Sequence, residues 1–141
     1  MLALAVEDVK GFMVKLLKED VFDEFWLKSC CVDSFARFEI YGTSGDEGVA
    51  WSRLREYVFG VVRGGAVPRS MKIVFGADGE KAGIEGAGSG FVNILFEGGK
   101  VGLTTGLSKK SFSLDRSDEQ KWDEVVVKFL GRAGIKYTSE I

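Results

Sequence analysis

The tightest constraint on the fold lies in the second half of the chain, where apolar runs follow one another too closely for anything but antiparallel pairing. "SMKIVF" at 70–75, "FVNILFE" at 91–97, "KVGLTTG" at 100–106 and "KKSFSLD" at 109–115 each read as a strand. Gly98-Gly99 joins the second run to the third, and Leu107-Ser108 the third to the fourth. A parallel crossover needs a dozen or more residues, so these connections impose an antiparallel meander.

Helices surround it. "LALAV" at 2–6 is short and apolar enough for a strand, after which Val9, Phe12, Met13, Leu16 and Leu17 recur at helical spacing through about Lys18. Between Phe25 and Gly42, Ala36, Phe38 and Ile40 alternate with Arg37, Glu39 and Tyr41, predicting one or two strands bent near Asp33-Ser34. Past the turn chemistry of 42–48, Trp51, Leu54, Tyr57, Val58, Val61 and Val62 mark a second helix, closed by Gly64-Gly65 with Pro68 beyond. Ser117 to Gln120 has the S-x-x-Q form of a capping box, and Trp122, Val125, Val126, Phe129 and Leu130 follow on one face. The tail "IKYTSEI" either frays or adds an edge strand. The fold class is therefore α+β in one domain over 1–141: antiparallel strands, with a meander in the second half, packed by three α-helices.

The stretch "GADGEKAGIEGAGSGF" at 76–91 holds six glycines and ends G-x-G-x-G. A phosphate loop works by presenting backbone N–H groups at the start of a helix, whereas a strand succeeds Gly90. The expectation is a loop between antiparallel strands, its glycines tolerating positive φ.

Composition narrows function by exclusion. With no histidine, the chain builds no Ser-His-Asp or Cys-His site and no imidazole switch. Cys30 and Cys31 are neighbours; on a strand they point to opposite faces, predicting one buried and one half-exposed thiol rather than a disulfide. Asp115, Asp118, Glu119, Asp123 and Glu124 gather at the start of the third helix, where negative charge complements the macrodipole. Trp51 and Trp122 fall on apolar helix faces and read as packing residues. No cofactor or metal is expected. A net charge of −2 and a pI near 5.3 put no overall positive field behind nucleic-acid or membrane binding. The start "MLALAVEDVK" lacks a positive leader, and no run reaches the ~18 apolar residues of a membrane span, so a cytoplasmic protein without membrane association is predicted.

Local basic faces remain. On a helical wheel Lys15 and Lys18, flanked by Lys10, lie opposite the apolar stripe of the first helix. The second helix presents Arg53 and Arg63, with Glu56 as the single acid there and Arg69 just past its end. Residues 1–42 and 50–115 also share a helix-then-strands plan, a layout that resembles the sliding-clamp domain. That likeness implies duplex contact through Lys10, Lys15, Lys18, Arg53, Arg63 and Arg69, although the third helix has no clamp counterpart and no feature supplies the self-association a ring needs.

Across most of the chain, "MLALAVEDVKGFMVKLL", "WSRLREYVFGVVRG", P-x-S-x-K-I-V-F, "GGKVGLTTG" and "WDEVVVKFL" together resemble a small bacterial protein family, a domain of unknown function. The resemblance implies no catalytic residues. The leading expectation is a non-enzymatic cytoplasmic binding or adaptor module with a protein partner. A clamp-like protein bound to nucleic acid is the alternative. A small-molecule or metal-dependent enzyme using the acids near Asp118 or a thiol at Cys30 or Cys31 stands third.

Overall fold

The computed structural model describes residues 1–43, 48–64, 67–84, 86–109 and 117–140. Chain order is β1 (Ala3–Val6), α1 (Val9–Leu17), β2 (Trp26–Asp33), β3 (Arg37–Tyr41), β4 (Val49–Ala50), α2 (Trp51–Arg63), β5 (Ser70–Asp78), β6 (Ala87–Glu97), β7 (Lys100–Lys109), α3 (Ser117–Ala133) and β8 (Tyr137–Ser139). The strands form one 8-stranded sheet in the order β3-β2-β5-β6-β7-β1-β8, with β4 beside β2, and every pairing is antiparallel.

Strand alternation gives the sheet an inner and an outer face. Cys30 pairs with Ile73, Ile73 with Ile94, Ile94 with Leu103 and Leu103 with Leu4, a buried row running across five strands. Phe12, Leu16 and Leu17 of α1, Trp51 and Val58 of α2, and Trp122, Val126, Phe129 and Leu130 of α3 join these residues in one core. All three helices thus cover the inner face.

The predicted bend near Asp33-Ser34 divides β2 from β3, and the tail becomes β8 against β1. Two readings change. The strands reach further into the glycine stretch than expected: β5 runs to Asp78 and β6 begins at Ala87, so Gly88 and Gly90 are strand residues. Among the described residues of the connection, only Gly83 and Gly86 take positive φ, 90° and 75°. Leu107-Ser108, expected as a turn, continues β7, with Leu107 opposite Gly90. The strand expected at 109–115 falls almost wholly outside the described residues, as do Gly65 and Asp115.

Gly90 is glycine for a packing reason. A Cβ there would stand 2.5 Å from the Trp122 indole, whose Nε1 donates to the Phe91 carbonyl at 3.1 Å. The α1–β2 connection also feeds the core, for Phe22 and Phe25 both turn inward. Phe22 meets Phe12 and Phe129 edge-on and stacks on Phe75, with centroids 5.6, 5.2 and 5.6 Å away.

Two polar contacts fix α1. Asp8 caps it, accepting from the Gly11 N–H at 3.0 Å. At the other end the Leu16 carbonyl, one of the last four without an intrahelical donor, accepts from Trp51 Nε1 at 3.2 Å. That bond sets the first turn of α2 against the last turn of α1.

Candidate functional site

The first turn of α2 meets the last turn of α1, and an open groove lies between the two helices. Met13, Val14 and Leu17 from α1 face Phe59 and Val62 from α2, with Phe96 of β6 also lining the space. Val67 and Pro68 complete a lining whose free volume is about 370 Å³. Val67 is 81% exposed, so apolar surface here stands in water rather than under protein.

Three cations belong to this groove. Lys10 and Lys18 line it, and Lys18 Nζ lies 5.5 Å from the centroid of the Phe59 ring. The Arg63 guanidinium lies 5.7 Å from the same centroid, so one aromatic ring holds two positive charges by its π face. Among the described residues none of the three pairs with a carboxylate, whereas Arg37, Arg55 and Arg132 pair with Glu39, Asp23 and Glu24. Lys10 and Lys18 are eight residues apart, about 12 Å along the helix axis.

The other three basic candidates go elsewhere. Lys15 is half-buried and lines a separate hollow with Asp8, Gly134 and Ile135, beyond the end of α3. A wheel drawn for α1 alone puts it on the solvent face; the tail of α3 packs there. Arg53 is exposed on the first turn of α2, ten residues from Arg63 and thus about 15 Å away along the axis. Arg69 donates to the Ser34 carbonyl at 3.0 Å while its backbone N–H donates to the Asp33 carbonyl, so it ties the β2–β3 turn to the start of β5.

Sequence reading finds the cations but not the walls. Met13 and Val62 read as core because they sit at core spacing, yet both are only partly buried, while Leu17 belongs to the core as well as lining the groove. A signal is present: Val9, Phe12, Met13, Val14, Leu16 and Leu17 are six apolar residues in nine, an arc too wide for one buried stripe. Phe59 also falls beside the stripe of α2 rather than within it.

The acids at the start of α3 do not converge, and among the described residues no three Cys, Asp or Glu side chains are placed to hold a metal ion. Asp123 accepts from Thr105 Oγ1 at 2.6 Å and pairs with the Met1 ammonium at 3.2 Å. Asp118 lies 3.8 Å from Lys121 Nζ. A broader hollow of about 450 Å³ on the outer sheet face holds Lys72, Asn93, Thr104 and Glu140; Asn93 there donates to Thr104 at 3.3 Å. It offers more polar groups than the helix groove and less apolar surface to cover. No helix among the described residues is long and apolar enough to cross a membrane.

Cys30 is buried and Cys31 half-buried, as the alternation predicts. Burial, with a lesser contribution from Cys31, pushes the Cys30 thiol up to about 12 from 9.0. A raised value means the native state holds its proton where the unfolded chain has lost it. This contribution to stability is therefore complete below about pH 9 and is lost as pH rises toward 12. Urea unfolding between pH 8 and pH 11 should show a loss that Cys30→Ala lacks; equal slopes for both proteins would refute the burial effect.

An antiparallel sheet packed by helices, with an apolar groove between two of them, defines an α+β protein. The chain belongs to a family of unknown function, DUF5721, whose model matches residues 15–138. No curated protein and no solved structure matches it.

Proposed function

We propose that this protein is a binding or adaptor module that takes hold of a protein partner through the α1–α2 groove. One observation carries the reading: an open apolar trough flanked by Lys10, Lys18 and Arg63, none of them paired with a carboxylate among the described residues. Covering the trough removes apolar surface from water, at about 25 cal/mol per Å², and unpaired cations give a partner's acids a defined place.

The test is affinity capture from a lysate with the full chain, with and without nuclease, beside the Lys10→Glu, Lys18→Glu, Arg63→Glu triple variant. The expected result is a nuclease-resistant protein retained by the parent and lost by at least tenfold with the variant, whose melting temperature is unchanged. Retention of every captured protein by the variant would remove the groove from the reading.

The clamp-like alternative keeps one supporting observation, two neighbouring helices packed on one face of a sheet with Lys10, Lys18, Arg53 and Arg63 on their exposed sides. Against it stands the chemistry of the walls, since a phosphate backbone has no use for Met13, Val14, Leu17 and Val62. Duplex binding that weakens steeply with salt and disappears on reversing Lys18 and Arg53 would favour it over the adaptor reading.

A further inference from the structure

We infer that the segment this groove accepts is an amphipathic α-helix with acidic residues beside its apolar stripe; the inference rests on the protein-partner reading above. The first reason is hydrogen bonding. The groove's long walls are α1 and α2, whose backbone groups are engaged within the helices, so the walls offer side chains and no free strand edge. A segment entering it must satisfy its own N–H and C=O groups, and a helix does so internally while an extended strand does not.

The second reason is the pattern of the lining. Met13, Val14 and Leu17 keep the three-and-four spacing of one helix, and Phe59 and Val62 that of its neighbour. Two such rows leave a trough into which a third helix lays a stripe of side chains at i, i+3 or i+4, and i+7, in the manner of ridges entering a groove. The third reason is charge. Lys10 and Lys18, about 12 Å apart along α1, match acids seven or eight residues apart on a bound helix, for which the axial rise is the same. Arg63 provides a cation from the facing helix, and the hold of Phe59 on Lys18 and Arg63 places these two charges before any partner arrives. Basic amphipathic segments would meet three like charges instead.

The test selects 16-residue random peptides on phage against the immobilised full chain, then measures the enriched sequences as labelled synthetic peptides by fluorescence anisotropy and circular dichroism. Enrichment of sequences with apolar residues at helical spacing and flanking Asp or Glu is expected, with helical signal growing on binding. Affinity should fall at least tenfold for the Lys18→Glu, Arg63→Glu protein. A proline placed at the peptide centre should weaken binding by about 100-fold, the cost of proline inside a helix. Proline-tolerant, extended or basic winners overturn the inference, as does equal binding to the variant or failure to enrich any sequence. The two readings fail separately: a captured protein that depends on the groove but binds through an extended or basic segment defeats the helix and leaves the adaptor standing.

Discussion

Replacing Phe22 with alanine should lower the free energy of unfolding by about 3–5 kcal/mol, the range for deleting a fully buried ring. Phe22 is completely buried and touches rings from α1, β5 and α3 as well as Phe25, so no single element can move in to close the cavity. Against a total stability of roughly 5–15 kcal/mol, that loss brings the chain close to its threshold. Urea titration should move the midpoint down with little change in slope. Phe35→Ala is the matching control, because Phe35 is 69% exposed and its loss should stay within about 0.5 kcal/mol. A Phe22→Ala cost below about 1 kcal/mol would mean that the cluster is not packed as described.

The second large effect comes from adding one carbon. Gly90→Ala introduces a Cβ at 2.5 Å from the Trp122 ring, a separation that one of the two must abandon. Trp122 is buried and anchored by its bond to the Phe91 carbonyl, so α3 must shift or the indole must leave its pocket. Overpacking of this kind costs about 1–3 kcal/mol, and loss of the hydrogen bond adds about 1 kcal/mol. The cause is separable from any general effect of alanine in a strand. In a Trp122→Leu background the same Gly90→Ala change should cost much less, because the clashing atoms are gone. Equal costs in both backgrounds would place the strain elsewhere.

Gly90 also shows where sequence reading stops. The run of glycines differs from a phosphate loop because it leads into a strand and not a helix, and that much is legible in the residues after it. Yet the composition suggests loop throughout, whereas Gly88 and Gly90 are strand residues, and position 90 is glycine because a tryptophan thirty-two positions later needs the room. Local signals decide the helices: the apolar spacing of α1, α2 and α3 reflects burial on the inner face, and that burial is what the spacing records. The meander is legible from Gly98-Gly99, both at positive φ. Leu107-Ser108 misleads, since nothing nearby in sequence reveals that β6 offers Gly90 as a partner for Leu107.

The candidate site divides the same way. Six cations can be assigned to helix faces or helix ends from their spacing, but such an assignment takes each helix without its neighbours. The tail of α3 takes Lys15, the β2–β3 turn takes Arg69, and the packing of α1 beside α2 selects Lys10, Lys18 and Arg63. Phe59, which organises that cluster, carries no charge and so escapes a search for charges.

The place of β1 in the sheet has a consequence for how the chain acquires its structure. β1 lies between β7 and β8, pairing Leu4 with Leu103 on one side and with Ser139 on the other. A β1 strand leaving the ribosome therefore waits for about a hundred further residues before either neighbour exists. Closing so long a loop precedes any reward from the contacts it permits, which places folding toward the slow end for a domain of this size. Until β7 emerges, β1 has no partner strand and the edge of β6 is bare, an interval in which a nascent chain is most exposed to mispairing and most dependent on chaperones.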